Sequence, residues 1–104
     1  MLEPLLNSEN KERVLIFLIA RGEGYATEIA RFFDTNLFGI QNQLDRLEAG
    51  GILVSKKVGR TRVFIFNPGY AFIDELKSLL EKALSFYPED VKEKLLISRR
   101  RPKM

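Results

Sequence analysis

Apolar residues recur along this chain at helical spacing in some stretches and in short strand-like runs in others. Between Asn36 and Gly50 the spacing is helical: Leu37, Ile40, Leu44 and Leu47 fall three and four residues apart and share one face of a 3.6-residue period. Asn36 stands ahead of this run as an N-cap, and Gly50-Gly51 supplies a left-handed stop. Phe38, Asn42 and Arg46 point away from the apolar stripe, with Gly39, Gln41 and Gln43 on its flanks. Directly afterwards Ile52–Lys57 and Arg62–Phe66 read as two strands, joined by a turn over Val58-Gly59-Arg60-Thr61.

Upstream, Asn7 or Ser8 caps a first helix, Glu9 sits in its first turn, and Gly22 ends it after Arg21. This helix contains VLIFLIA, apolar on nearly every side. The flanking NKER, the cap and the glycine stop favour a helix over a short buried strand. A helix apolar all round must be covered on more than one side, which predicts contact with the core and, through Leu15 and Leu18, with a second subunit. Tyr25 or Ala26 opens a second helix, TEIARFFD, with Ile29, Ala30 and Phe33 inward, and Asp34-Thr35-Asn36 is a polar turn into the next. Two short helices joined by about three residues match a helix-turn-helix. Met1–Leu6 reads as a lead-in whose Leu2, Leu5 and Leu6 lie on the surface or on a partner.

Beyond Asn67-Pro68-Gly69 a sustained stripe runs through Phe72, Ile73, Leu76, Leu79, Leu80, Ala83, Leu84 and Tyr87, until Pro88 ends it. The helix predicted over residues 70–87 spans ~27 Å, longer than one such domain needs. Its stripe, with Leu15 and Leu18, is the expected homodimer contact. Glu89–Ile97 is compatible with one more short helix, and Ser98–Met104 reads as a basic, mobile tail carrying Arg99, Arg100 and Arg101. The expected organisation is therefore one α+β, mainly helical domain over residues 1–97. It comprises a helix-turn-helix at 26–49, a two-stranded hairpin at 52–66 and a C-terminal dimerisation helix at 70–87, with a tail at 98–104.

Composition acts mainly by exclusion. The sequence has no cysteine and no histidine, which removes disulfides, thiolate chemistry, histidine bases and the usual soft-metal sites. It shows no nucleophile–base pair, glycine-rich phosphate loop or metal-ligand spacing, so neither an enzyme nor a cofactor is expected. Asp74, Glu75 and Glu81 stand beside Lys77 and Lys82 and read as partners in surface ion pairs. The longest apolar run, Val14–Ala20, is too short to span a bilayer, and the residues before it do not resemble a signal peptide. A cytoplasmic protein is expected.

Charge adds more through its distribution than through its net value of +3. Residues 1–45 carry −3, 46–70 carry +4, 71–90 carry −3 and 91–104 carry +5. Lys56, Lys57, Arg60 and Arg62 gather at the hairpin turn, where four cations repel one another without a polyanion. Asn, Gln and Arg on the preceding helix are the side chains whose donors and acceptors fit base edges in a DNA major groove. A helix with amide-rich outer residues followed by a basic hairpin is the plan of a winged helix that binds duplex nucleic acid. The expected interface is Asn36, Phe38, Gly39, Gln41, Asn42, Gln43, Arg46, Lys56, Lys57, Arg60 and Arg62. The expected dimer contact is Leu15, Leu18, Phe72, Ile73, Leu76, Leu79, Leu80 and Leu84. Double-stranded DNA and a second copy are the expected partners. The alternative is a winged-helix module that holds a protein and has little DNA affinity. No feature names a small-molecule effector.

The run LDRLEAGGILVSKKVGRTRVF, within a pattern covering most of the chain, resembles the winged helix-turn-helix transcriptional regulators, in particular the ArsR-type dimers. NPGYAFIDELKSLLEKAL with the Arg-Arg-Arg-Pro tail also resembles a small branch of winged-helix proteins that often lack metal-sensing residues. The resemblance implies a recognition helix at Asn36–Ala49 and a wing at Lys56–Arg62. Metal-sensing members use Cys and His ligands, which this chain lacks, so only the DNA-binding role is carried over. Phe38 and Gly39 stand where the family commonly has small hydroxyl residues, and Asp45 adds a negative charge near the phosphates.

Overall fold

The computed structural model describes residues 1–100, with the side chains of residues 1–96. Six helices and one antiparallel hairpin follow in the order α1 (Glu3–Leu6), α2 (Glu9–Arg21), α3 (Ala26–Phe32), α4 (Leu37–Ala49), β1 (Leu53–Val58), β2 (Thr61–Phe66), α5 (Ile73–Ser85) and α6 (Glu89–Arg100). The fold is thus α+β and mainly helical. Ser8, not Asn7, caps α2: its hydroxyl accepts from the Lys11 N–H at 3.0 Å. Asn7 instead ends α1 in a left-handed conformation.

α2 is the axis of the core. Val14, Leu15, Ile16, Phe17, Leu18 and Ala20 are all buried. α1, α3, α4, α5 and α6 pack against α2 from within the same chain. The expectation that this helix needs a second subunit is therefore corrected: Leu15 and Leu18 have no surface left for one. Part of the cover comes from two elements the hydrophobic pattern marked weakly. α6 buries Leu95 and packs on α2, while α1 sets Leu2 and Leu6 against the core and leaves Leu5 exposed. Each fully buried Leu contributes about 1.5–3 kcal/mol. Arg21 fastens the junction. Its guanidinium donates to the Leu95 and Lys94 carbonyls at 3.1 and 3.3 Å and lies over the Phe17 and Phe32 rings.

The strands pair from Leu53↔Phe66 to Val58↔Thr61, leaving Gly59-Arg60 as a two-residue turn, tighter than the four-residue one predicted. Gly59 has φ 65°, and a type II′ hairpin turn requires a positive φ at that first position. Leu53, Phe64 and Phe66 face the core. Gly24 adds a single rung on the other side of β2, exchanging both backbone hydrogen bonds with Phe64 at 2.8 and 3.1 Å. It must be glycine, because a Cβ there would stand 2.8 Å from the Phe17 ring. Asn67 locks the base of the hairpin, its amide donating to the Gly51 carbonyl at 2.8 Å and its N–H to Ile52 at 2.9 Å.

α5 is shorter than predicted: residues 70–72 form a turn before it, and it ends at Ser85. Leu80 and Ala83 are buried on the α2 side. Leu80 is therefore a second correction to the expected dimer contact. α6 continues through residues 98–100, where a tail was expected; residues 101–104 and the side chains of Arg99 and Arg100 lie outside the described part. Among the described residues, no helix is long and apolar enough to cross a membrane.

Candidate nucleic-acid interface

The outward face of α4 is polar, and the hairpin beside it carries the exposed Lys56, Lys57 and Arg60. The Asn36 carboxamide oxygen accepts from the Phe38 N–H at 2.8 Å, satisfying one of the first-turn donors. Ile40, Leu44 and Leu47 then bury one face of α4. That leaves Phe38 (77% exposed), Asn42 and Arg46 in solvent on the opposite face. Leu37, assigned by its spacing to the inner stripe, is 47% exposed, because the first turn of α4 precedes the covered part.

Three other expected positions are placed differently. Gly39 lies against α2, where a Cβ would come within 2.6 Å of the Asn10 amide nitrogen. It is therefore a packing position and offers no side chain to a groove. Gln43 is partly buried, its carbonyl oxygen enclosed and without a hydrogen-bond partner. Gln41 is half-buried and donates to Asp45 at 3.1 Å, one helical turn on.

The hairpin cations divide into two kinds. Lys56, Lys57 and Arg60 are exposed and enter no ion pair among the described residues. Arg62 turns back toward α4. Its guanidinium donates to Glu48 and, at 3.0 Å, to the Ser55 hydroxyl, and it stands 4.0 Å from Asp45. The Ser55 hydroxyl in turn donates to Glu48, and the Arg62 guanidinium lies over the Phe64 ring. Arg62 is thus a bracket between helix and hairpin whose charge is already met. A side chain with several donors is suited to join three elements at once.

Two residues outside the expected set belong to this surface. Tyr25 and Thr27, at the start of α3, line a hollow of about 280 Å³ together with Gln41 and Arg60. Periodicity marks Thr27 only as the polar start of a helix; its nearness to Arg60 depends on the Gly24–Phe64 rung, which the spacing of apolar residues does not reveal.

A second surface lies on α5. Phe72 (63% exposed), Leu79 (37%) and Phe86 (67%) stand seven residues apart and leave an apolar line in solvent. Ile73, Leu76 and Leu84, expected at a dimer contact, are partly buried against the core. Phe86 was not among the expected residues, although its seven-residue spacing from Leu79 and Phe72 is legible in the sequence. Neither a protein-family model nor a curated protein matches this sequence.

Proposed function

We propose that the chain is a winged helix-turn-helix regulator that binds duplex DNA as a homodimer. α3 and α4 form the helix-turn-helix, α4 enters the major groove, and β1–β2 is the wing. One observation carries this reading: Gln41 of α4 and Arg60 of the hairpin turn line the same hollow, so the polar helix and the basic hairpin flank one concavity. Asn42 and Arg46 are the base-reading candidates on the exposed helix face. Lys56, Lys57 and Arg60 are the phosphate contacts, and Arg62 holds the wing at its angle to α4. The run that resembles ArsR-type regulators, LDRLEAGGILVSKKVGRTRVF, spans these same elements and supports the assignment.

The homodimer is placed on the line of Phe72, Leu79 and Phe86, the apolar surface that α5 leaves uncovered. A two-fold contact there would hide three large side chains on each protomer. Selection of bound fragments from a random duplex pool tests the reading. Enrichment of an inverted repeat with half-sites about one helical turn apart is expected, and an unenriched pool contradicts sequence-specific binding.

A protein-binding role for α4 is the second reading, favoured by the exposure of Leu37 and Phe38 on its first turn. Replacing Phe38 by Ser separates the two. DNA binding should fall at most a few-fold if the helix reads DNA, whereas a protein contact centred on Phe38 would be lost.

A further inference from the structure

A hollow of about 370 Å³ lies between α1, the first turns of α2, the end of α3 and the junction of α5 with α6. None of its walls takes part in the DNA reading. Glu12, only 5% exposed, lies within it. Its Oε1 accepts from the Leu2 N–H at 2.8 Å and the Met1 amino group at 3.3 Å, and its Oε2 accepts from the Tyr87 hydroxyl. Glu3 and Glu9 also line the hollow, while Phe33, Tyr87 and Val91 give it apolar surface. Three carboxylates against Arg13 and the Met1 amino group leave the lining net negative. The volume is that of an ordinary small-molecule site.

We propose that this hollow is an effector site for a small organic cation, an ammonium or amidinium group on an aromatic or aliphatic body. The apolar walls take the body, and the Glu3 and Glu9 carboxylates take the charge, since Glu12 is already occupied by its own partners. An anion would meet the carboxylates before it reached Arg13. A neutral guest would forgo the attraction of the two exposed carboxylates.

The site is wired to α4. Arg13 pairs with Glu9 at 3.3 Å and donates to Asn10 at 2.9 Å and to the Thr35 hydroxyl at 3.4 Å. Thr35 immediately precedes Asn36, the N-cap of α4. Phe33, the C-cap of α3, faces the Arg13 guanidinium at 6.0 Å. A cation that draws Glu9 from Arg13 therefore changes the partners of a side chain holding the turn between α3 and α4. The regulatory half of the proposal rests on the DNA-binding reading; the binding half does not.

The test begins without DNA. The chain is titrated with 2-phenylethylamine, with 2-phenylethanol as the uncharged analogue and phenylacetate as the anion, following backbone amide resonances and the Tyr87 ring. Saturable shifts centred on Phe33, Tyr87 and Val91 are expected for the amine, with at least tenfold weaker binding of the other two. Glu3→Gln with Glu9→Gln should weaken the amine at least tenfold, and Val91→Trp, which fills the hollow, should abolish its binding. Absence of saturable shifts, or an alcohol that binds as tightly as the amine, overturns the site. In the second arm, saturating amine should change the dissociation constant for duplex DNA at least threefold in the unaltered chain and not in Val91→Trp. Amine binding with unchanged DNA affinity overturns the effector role. A chain that binds no DNA refutes the preceding reading, and the first arm alone then decides the cation site.

Discussion

Replacing Tyr87 by Phe removes one oxygen and leaves the ring where it packs, so the effect isolates a single hydrogen bond to a buried carboxylate. Glu12 projects from the first turn of the central helix, and Tyr87 stands at the end of α5. The bond therefore ties the start of α2 to the α5–α6 junction. Burial pushes the Glu12 carboxyl up, but the Tyr87 hydroxyl, the Leu2 N–H and the Met1 amino group outweigh it and hold it below its ordinary 4.5. The Tyr87 phenol is correspondingly raised by burial and by the adjacent carboxylate. A hydrogen bond to a charged group contributes about 1.5–3 kcal/mol, and a carboxylate with two remaining donors places the expected loss near 2 kcal/mol. Urea unfolding of Tyr87→Phe at pH 7 should show that loss with an unchanged m-value.

The pH dependence follows from the sign of the shift. A carboxyl depressed in the folded state contributes stability that is present above its unfolded value and lost as pH falls through the folded one. The gap between the unaltered chain and Tyr87→Phe should therefore be full at pH 7 and shrink as pH falls below about 4.5 toward the depressed folded value. A gap under about 0.5 kcal/mol, or one that persists unchanged after the carboxylates are protonated, would refute this use of Glu12.

Three further outcomes concern function. Neutralising Lys57 and Arg60 together should weaken binding to all duplexes alike and flatten the salt slope by about 0.9 per lost phosphate contact, read from dissociation constants across a salt series; an unchanged slope places the DNA elsewhere. Asn42→Ala should cost on the order of 1–3 kcal/mol on the selected site and much less on random duplex in a paired binding assay, and equal losses would reduce Asn42 to a backbone contact. Leu79→Glu with Phe86→Glu should give monomers by sedimentation with the helical circular-dichroism signal kept, because both side chains are exposed on α5, and a dimer that survives both changes lies on another surface.

The α+β architecture, the α4 boundaries and the presence of a hairpin after it were legible because each rests on local signals. Asn36 caps α4, Gly50-Gly51 stops it, and the glycine turn with its flanking apolar runs marks the hairpin. What remained hidden depends on residues far apart in sequence. Part of the cover over α2 comes from α6, some 75 residues downstream, whose buried Leu95 joins the core, and no periodicity in α2 announces it.

 Gly39 looked like part of an outward face, yet it packs on Asn10 because α2 crosses α4 at that point. Arg62 counted as one of four cations at the turn, but Asp45 and Glu48, two and one helical positions from the end of the apolar stripe, meet its charge across the helix–hairpin junction. Sequence charge alone does not distinguish a cation that is already paired from one held out in solvent.

The most direct measurement is the affinity of the purified chain for a random-sequence duplex over a salt series from about 50 to 200 mM. Lys56, Lys57 and Arg60 on each of two protomers would displace condensed counterions. The logarithm of the association constant should then fall linearly with the logarithm of salt, with a slope of about −5 if all of them touch phosphates. Binding that is absent at the lowest salt, or that does not change across the series, would contradict the proposal that this surface is built for duplex DNA.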